Sequence, residues 1–225
     1  MKNLIKSVLC VILLAACNQE PTTPTTTKQS DFFPLQVGNW WEYSVDTADA
    51  KGNFISAYKE QWEIVGDSVV NGKKYFIHQS KSENSVGTLQ SYLTNESHGD
   101  VMWVENIIPR SFFDSITQKV LYFNKPIAEQ WATYAEYSDL NISSIVSKTD
   151  STQVPAGLFI HNCVILEQSM DDGYTSVYAA KVGLIKMYPA QFSWRKHKQY
   201  RLLKARVNGV TYPQLSRSKN ENVLF

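Results

Sequence analysis

The chain has 225 residues, with 22 basic against 21 acidic side chains and 12% aromatic residues. That length suits one domain or two small ones. The near-neutral, mixed charge excludes the electrostatic footprint of a nucleic-acid binder and of a polybasic membrane patch. Of the three cysteines, Cys10 and Cys17 fall at the start and Cys163 stands alone, so the core has no disulfide framework behind it.

Residues 1–16 carry the parts of a secretory signal. Lys2 and Lys6 supply the positive start, Leu9 to Leu14 an apolar run, and Ala15-Ala16 the small residues before a cut. The run is too short for a bilayer span, which needs about 20 apolar residues. Leu14-Ala15-Ala16-Cys17 resembles the lipobox of bacterial lipoproteins. The resemblance implies cleavage before Cys17 and acylation of that residue, palmitate included. At about 0.8 kcal/mol per buried methylene, two or three acyl chains make release from a membrane negligible. Asn18 stands where an acidic residue would mark inner-membrane retention, so the resemblance implies the outer membrane, at its periplasmic face or the cell surface. A plain cleaved secretory signal is the alternative. Cleavage leaves 225 − 16 = 209 residues with a charge of 20 − 21 = −1.

Residues 17–30 read as the lipidated cysteine and a tether. Asn18 to Ser30 holds two prolines, five threonines and no large apolar residue, a composition that cannot build a core. Thirteen residues at about 3.3 Å each reach roughly 40 Å. The β-rich domain is expected over residues 31–215 and a loose tail over 216–225. The domain opens on Phe33-Pro34-Leu35, Gly38-Asn39, Trp41 and Tyr43. With Val154 to Phe159 and Val182 to Lys186, these residues resemble a group of bacterial lipoproteins of Bacteroidetes-type genomes, which implies no activity and no catalytic residues.

Strand signals then follow one another. Phe54 to Val70 alternates, with Tyr58, Trp62 and Ile64 on one face and Lys59, Gln61 and Glu63 on the other. Asn71-Gly72 predicts a type I′ hairpin into Lys74 to Ile77. Further strands are expected at Thr88–Thr94, Val101–Glu105, Val120–Phe123, Trp131–Tyr137, Ile142–Lys148, Phe159–Glu167, Tyr174–Ala180, Leu184–Tyr188 and Tyr200–Val207, with turns at Asp171-Asp172-Gly173 and Asn208-Gly209. Arg110 to Gln118 is the one short helix expected. Pro126-Ile127 with Trp131 and Tyr134 echoes Pro34-Leu35 with Trp41 and Tyr43, which would make the domain two related half-sheets. Hairpin-length links and hardly a helix predict a mainly β fold. The expected form is an antiparallel meander curved into an open half-barrel, with a closed barrel as the alternative.

Signals for chemistry are few. His78, His98, His161 and His197 lack metal-ligand spacing, and no metal or cofactor is expected. Gly66-Asp67-Ser68-Val69 resembles the nucleophile block of a lipase family, but the partner Asp-x-x-His block is absent. Asp46, Asp49 and Asn53 crowd one loop and suit a turn better than a calcium site. Cys163 reads as a small buried hydrophobe. Glu60 sits on an apolar face, where an edge position facing water is the simplest account. The aromatics are the real excess, and Trp40, Trp41, Tyr58 and Trp62 are the candidate ligand-binding residues.

The expected function is a non-enzymatic, membrane-anchored envelope module for binding or assembly, with a lipid or other apolar ligand, or an envelope protein, as partner. A surface glycan-binding module is one alternative, and a hydrolase assembled from separate strands is another. Cys17→Ser abolishes incorporation of radiolabelled palmitate if the lipobox is read correctly; unchanged labelling contradicts it.

Overall fold

The computed structural model describes residues 31–49, 51, 53–96, 100–104, 118–134, 141–168, 173–191 and 197–213. Cys17, the tether, the tail over 216–225 and the Asp171-Asp172 turn lie outside them. So does most of the expected helix, whose last residue, Gln118, opens a strand instead.

Among the described residues thirteen strands form: β1 (Trp40–Ala48), β2 (Phe54–Val70), β3 (Lys73–Ser82), β4 (Thr88–Asn95), β5 (Val101–Val104), β6 (Gln118–Leu121), β7 (Gln130–Tyr134), β8 (Asn141–Val154), β9 (Gly157–Gln168), β10 (Gly173–Ala179), β11 (Gly183–Gln191), β12 (His197–Val207) and β13 (Val210–Tyr212). They pair antiparallel in the order β6-β5-β4-β3-β2-β1-β12-β11-β10-β9-β8-β7, with β13 added to the end of β12. The sheet is an up-and-down meander that is not closed, with β6 and β7 as its two edges. It is strongly curved, because β1 reaches over β12 to the start of β11, and β6 meets β9, distant in this order, across the inner face. Trp41 Nε1 on β1 donates to Val182 O at 2.6 Å, and Tyr43 Oη to Leu184 O at 3.0 Å. Lys119 on β6 reaches Glu167 on β9 at 2.5 Å.

The period of two expected for β2 places Tyr58, Trp62 and Ile64 inward. Both Asn-Gly pairs adopt the two positive φ angles of a type I′ turn, at Asn71 (51°) and Gly72 (76°) and at Asn208 (51°) and Gly209 (82°). β8 runs on to Val154, past the expected Lys148. Its later half, Thr149 to Gln153, is polar and reads as loop in isolation, but β9 supplies a ladder partner for it.

The two halves correspond. β1 begins one six-strand meander and β7 the other, each after a proline and an apolar residue. The indole N–H of each first-strand tryptophan donates to a backbone carbonyl of the opposite half, Trp41 to Val182 and Trp131 to Val120 (3.1 Å). β1 lies beside β12 through a full ladder, whereas β7 meets β6 through Trp131, whose ring lies 5.5 Å from that of Tyr122.

The ends of the sheet differ. At one, the segment before β1 forms a plug. Phe33 and Leu35 are buried, and the Phe33 ring packs on Trp41 (5.9 Å) and Tyr178 (6.2 Å). Asn39 locks this plug: its Nδ2 donates to Pro34 O at 3.0 Å, and its Oδ1 accepts from Asn208 N at 2.8 Å. Gly38 N and Asn39 O complete a pair with Ile64. Gly183 faces Trp41 at φ +104°, a conformation that selects glycine. The Phe-Pro-Leu-x-x-Gly-Asn-x-Trp-x-Tyr pattern is therefore the sequence of a seal. The strands leaving this plugged end, β1, β3, β5, β7, β9 and β11, all finish at the other, open end.

Candidate functional site

Cross-strand register defines the inner face at the open end. Trp41 on β1 stands opposite Trp62 on β2, Trp62 opposite Ser80 on β3, and Ser80 opposite Leu89 on β4. Exposure rises along this row, from 1% at Trp41 through half-buried Trp62 and Ser80 to 77% at Leu89. The next row holds Tyr43, Glu60 and Ser82, and the one beyond it Tyr200, Val45 and Tyr58. Among the described residues, a concave strip is thus left uncovered from β2 to β4, lined by rings and hydroxyls around one carboxylate.

Glu60 is held from two sides. Trp62 Nε1 donates to its Oε1 at 2.7 Å, and Tyr200 Oη to its Oε2 at 3.3 Å. The expected edge position for Glu60 is overturned, because β2 lies between β1 and β3 and Glu60 is 9% exposed. A carboxylate can stay inside because these donors replace water. Burial, with the Glu60 charge beside it, pushes the Tyr200 hydroxyl well above its ordinary value, so it remains a protonated donor. Trp62 is clamped in turn by Tyr43 (4.8 Å), Tyr200 (6.0 Å) and the edge-on ring of His78 (5.3 Å). On the rim, Lys198 Nζ lies 5.9 Å from the centre of the Tyr58 ring, within cation–π range.

His78 and Ser91 form the second polar pair. Ser91 stands opposite His78 on β4, and its Oγ lies 3.0 Å from His78 Nδ1. Both are buried, and burial pushes the imidazole down to about 3. On β3, His78 stands opposite Ile64 and Ser82 opposite Glu60, with the Trp62 position between them, so carboxylate and imidazole belong to different rows of the face. Ser68 does not join them. It sits eight residues from Glu60 on the same strand, roughly 26 Å away, near the Asn71-Gly72 turn at the plugged end.

Trp41 is committed to packing and to Val182, whereas Trp40 projects from the outer face. Of the candidate aromatics, Tyr58 and Trp62 share the uncovered strip. Asp49 Oδ1 accepts from the N–H groups of Lys51 and Asn53, and Asp46 pairs with Arg201 at 2.6 Å, so these carboxylates serve a turn and an ion pair. His161 is exposed and His197 buried; His98 lies outside the described residues. Cys163 is fully buried, and burial pushes its thiol up to about 11. Among the described residues no three His, Cys, Asp or Glu side chains cluster to hold a metal ion. Tyr200, Ser91 and the Lys119–Glu167 pair escape a reading of single strands, because only pairing across β12, β4, β6 and β9 brings them to the inner face.

The sequence matches no family model and no curated protein. Solved structures similar to it include two from Bacteroidetes. One is a protein of Bacteroides fragilis described as exported, with a YmcC-like fold. It is 13% identical, aligned over 78% of this chain and 99% of its own, with a TM-score of 0.49. The other is described as a lipoprotein of Parabacteroides distasonis, also 13% identical, covering 79% of this chain and 99% of its own, with a TM-score of 0.39. At such distances neither carries a function across.

The buried imidazole ties stability to pH. In the unfolded chain His78 takes up a proton near 6.5, whereas in the fold it does so only near 3. Its contribution is therefore complete above pH 6.5 and is lost as the pH falls towards 3, by up to about 1.4 kcal/mol per pH unit. The stability gap between wild type and His78→Gln, measured by urea unfolding, should narrow from about pH 7 to about pH 4.5. An unchanged gap contradicts a neutral, buried His78.

Proposed function

We propose that this chain is a lipid-anchored module of the bacterial envelope, carried on Cys17 at the outer membrane. In this reading it binds a hydroxyl-rich ligand of the sugar class, without chemistry, on the uncovered strip between β2 and β4. The observation that carries the reading is the composition of that strip. Half-buried Trp62 and Tyr58 offer flat apolar faces, and Ser80, Ser82 and the fixed Glu60 carboxylate stand among them. A sugar ring has one apolar face to stack and hydroxyl edges to hydrogen-bond, which matches rings and acceptors side by side.

An acyl chain needs a hollow apolar interior instead. Here the interior beyond the strip holds Phe33 in ring contact with Trp41 and Tyr178, and buried Tyr43 beside Trp62 and Tyr200, which favours the sugar reading over an apolar carrier. A hydrolytic reading finds less support. A general base works best with a pKa near the operating pH, and His78 lies far below that and away from Glu60.

Titration of the protein with a panel of soluble oligosaccharides, followed by tryptophan fluorescence, tests the reading. At least one member should bind, and Trp62→Ala should weaken it by about 1–2 kcal/mol, roughly tenfold. A panel with no binder, or a binder indifferent to Trp62→Ala, contradicts it.

A further inference from the structure

The plugged end is also where the tether enters. The Asp31 carbonyl accepts from Lys181 N–H at 2.5 Å in the turn between β10 and β11. Around the same end stand Val37, Val69, Ile127, Leu158, Ile160 and Val210, each between 42% and 65% exposed. Leu158 and Ile160 are two residues apart on β9 and so share one face. Single exposed apolar side chains are ordinary on any protein. Here most of the large ones among the described residues gather at one end of the sheet. At the open end, Leu89 belongs to the strip described above, and Val86 and Ile55 stand near turns.

Several charges of the plugged end are paired within the protein, while Lys181 and Arg206 stand exposed at the same end. Lys73 pairs with Glu96 at 2.5 Å, Lys74 with Asp67 at 2.9 Å, and Lys125 with Glu129.

We propose that the plugged end docks on the lipid bilayer itself, its apolar collar resting at the boundary between headgroups and acyl chains. The proposal rests on the lipidation of Cys17. Thirteen residues separate Cys17 from Asp31, a span of roughly 40 Å at most. That span is short enough to hold the domain at high effective concentration against the membrane, where a weak apolar contact is populated. Shallow burial of apolar side chains, about 5–10 Å deep, is the mode such a collar permits. The uncovered strip then points away from the membrane.

Full-length lipidated protein in vesicles of phosphatidylethanolamine and phosphatidylglycerol tests this. An environment-sensitive fluorophore is placed at Ile160→Cys, at Leu158→Cys, or at Val86→Cys as the open-end reference. Cys163 does not compete, being fully buried. Lipids brominated in the acyl chain should quench the two β9 reporters about twofold more than the Val86 reporter, and high salt should not reverse the difference. Equal quenching at the two ends overturns the docking. Palmitate labelling of the same preparation separates the two failures: labelled protein with equal quenching removes the docking and leaves the anchor in place.

Discussion

The contact on which the structure depends is the one across the inner face between β1 and the turn joining β10 to β11. Trp41 and Tyr43 leave β1 on the same side, two residues apart, and each donates a hydrogen bond to a carbonyl of the opposite half. Burial of two large aromatic side chains contributes about 1.5–3 kcal/mol each, and the hydrogen bonds remove the cost of hiding their polar atoms. Those contacts fix the curvature. With β1 drawn onto Val182 and Leu184, β12 follows through its ladder with β1, and the sheet cannot flatten. Phe33, Leu35 and Asn39 then fill and lock the end that the curvature creates. Trp131 repeats the arrangement at the opposite seam with a hydrogen bond to Val120 O and a ring contact with Tyr122, but no ladder joins β6 to β7 among the described residues, and there the sheet stays open.

From that asymmetry follows the division of the molecule into two ends with different work. The sealed end holds Asp31, the first described residue, and carries the apolar collar. The inner face at the other end is left incomplete, because β3 and β4 run beyond the aromatic core and nothing in the described structure covers Ser80, Ser82 or Leu89. A carboxylate on that face is costly unless its oxygens are satisfied. Trp62 and Tyr200 satisfy both oxygens of Glu60, and in doing so fix the rings that border the strip.

Local rules read the strands well. Period-two alternation and the two Asn-Gly turns place most elements of the meander, because both signals come from residues adjacent in sequence. The half-sheet echo around Pro126 and Trp131 has a structural counterpart for the same reason. The position of Glu60 was not legible in this way. Its neighbours Tyr58 and Trp62 show that it shares their face, but whether β2 lies at an edge or in the middle depends on β1 and β3 both pairing with it. Likewise, Ser91 is an ordinary strand serine until the register of β4 sets it against His78. The bulge at Ile64/Gly66 shifts the register of β2 against β3, which a simple count of alternation along β2 does not anticipate. The polar half of β8 shows the converse, a ladder partner overriding a loop-like composition.

The central claim is that the interior is packed and that the ligand face is the uncovered polar and aromatic strip. Native mass spectrometry of residues 28–225, purified without detergent, addresses it most directly. The account predicts a mass free of phospholipid and fatty acid. A co-purified phospholipid or fatty acid, retained in wild type and lost in Trp62→Ala, would mean that the interior opens to take an acyl chain, and would contradict it.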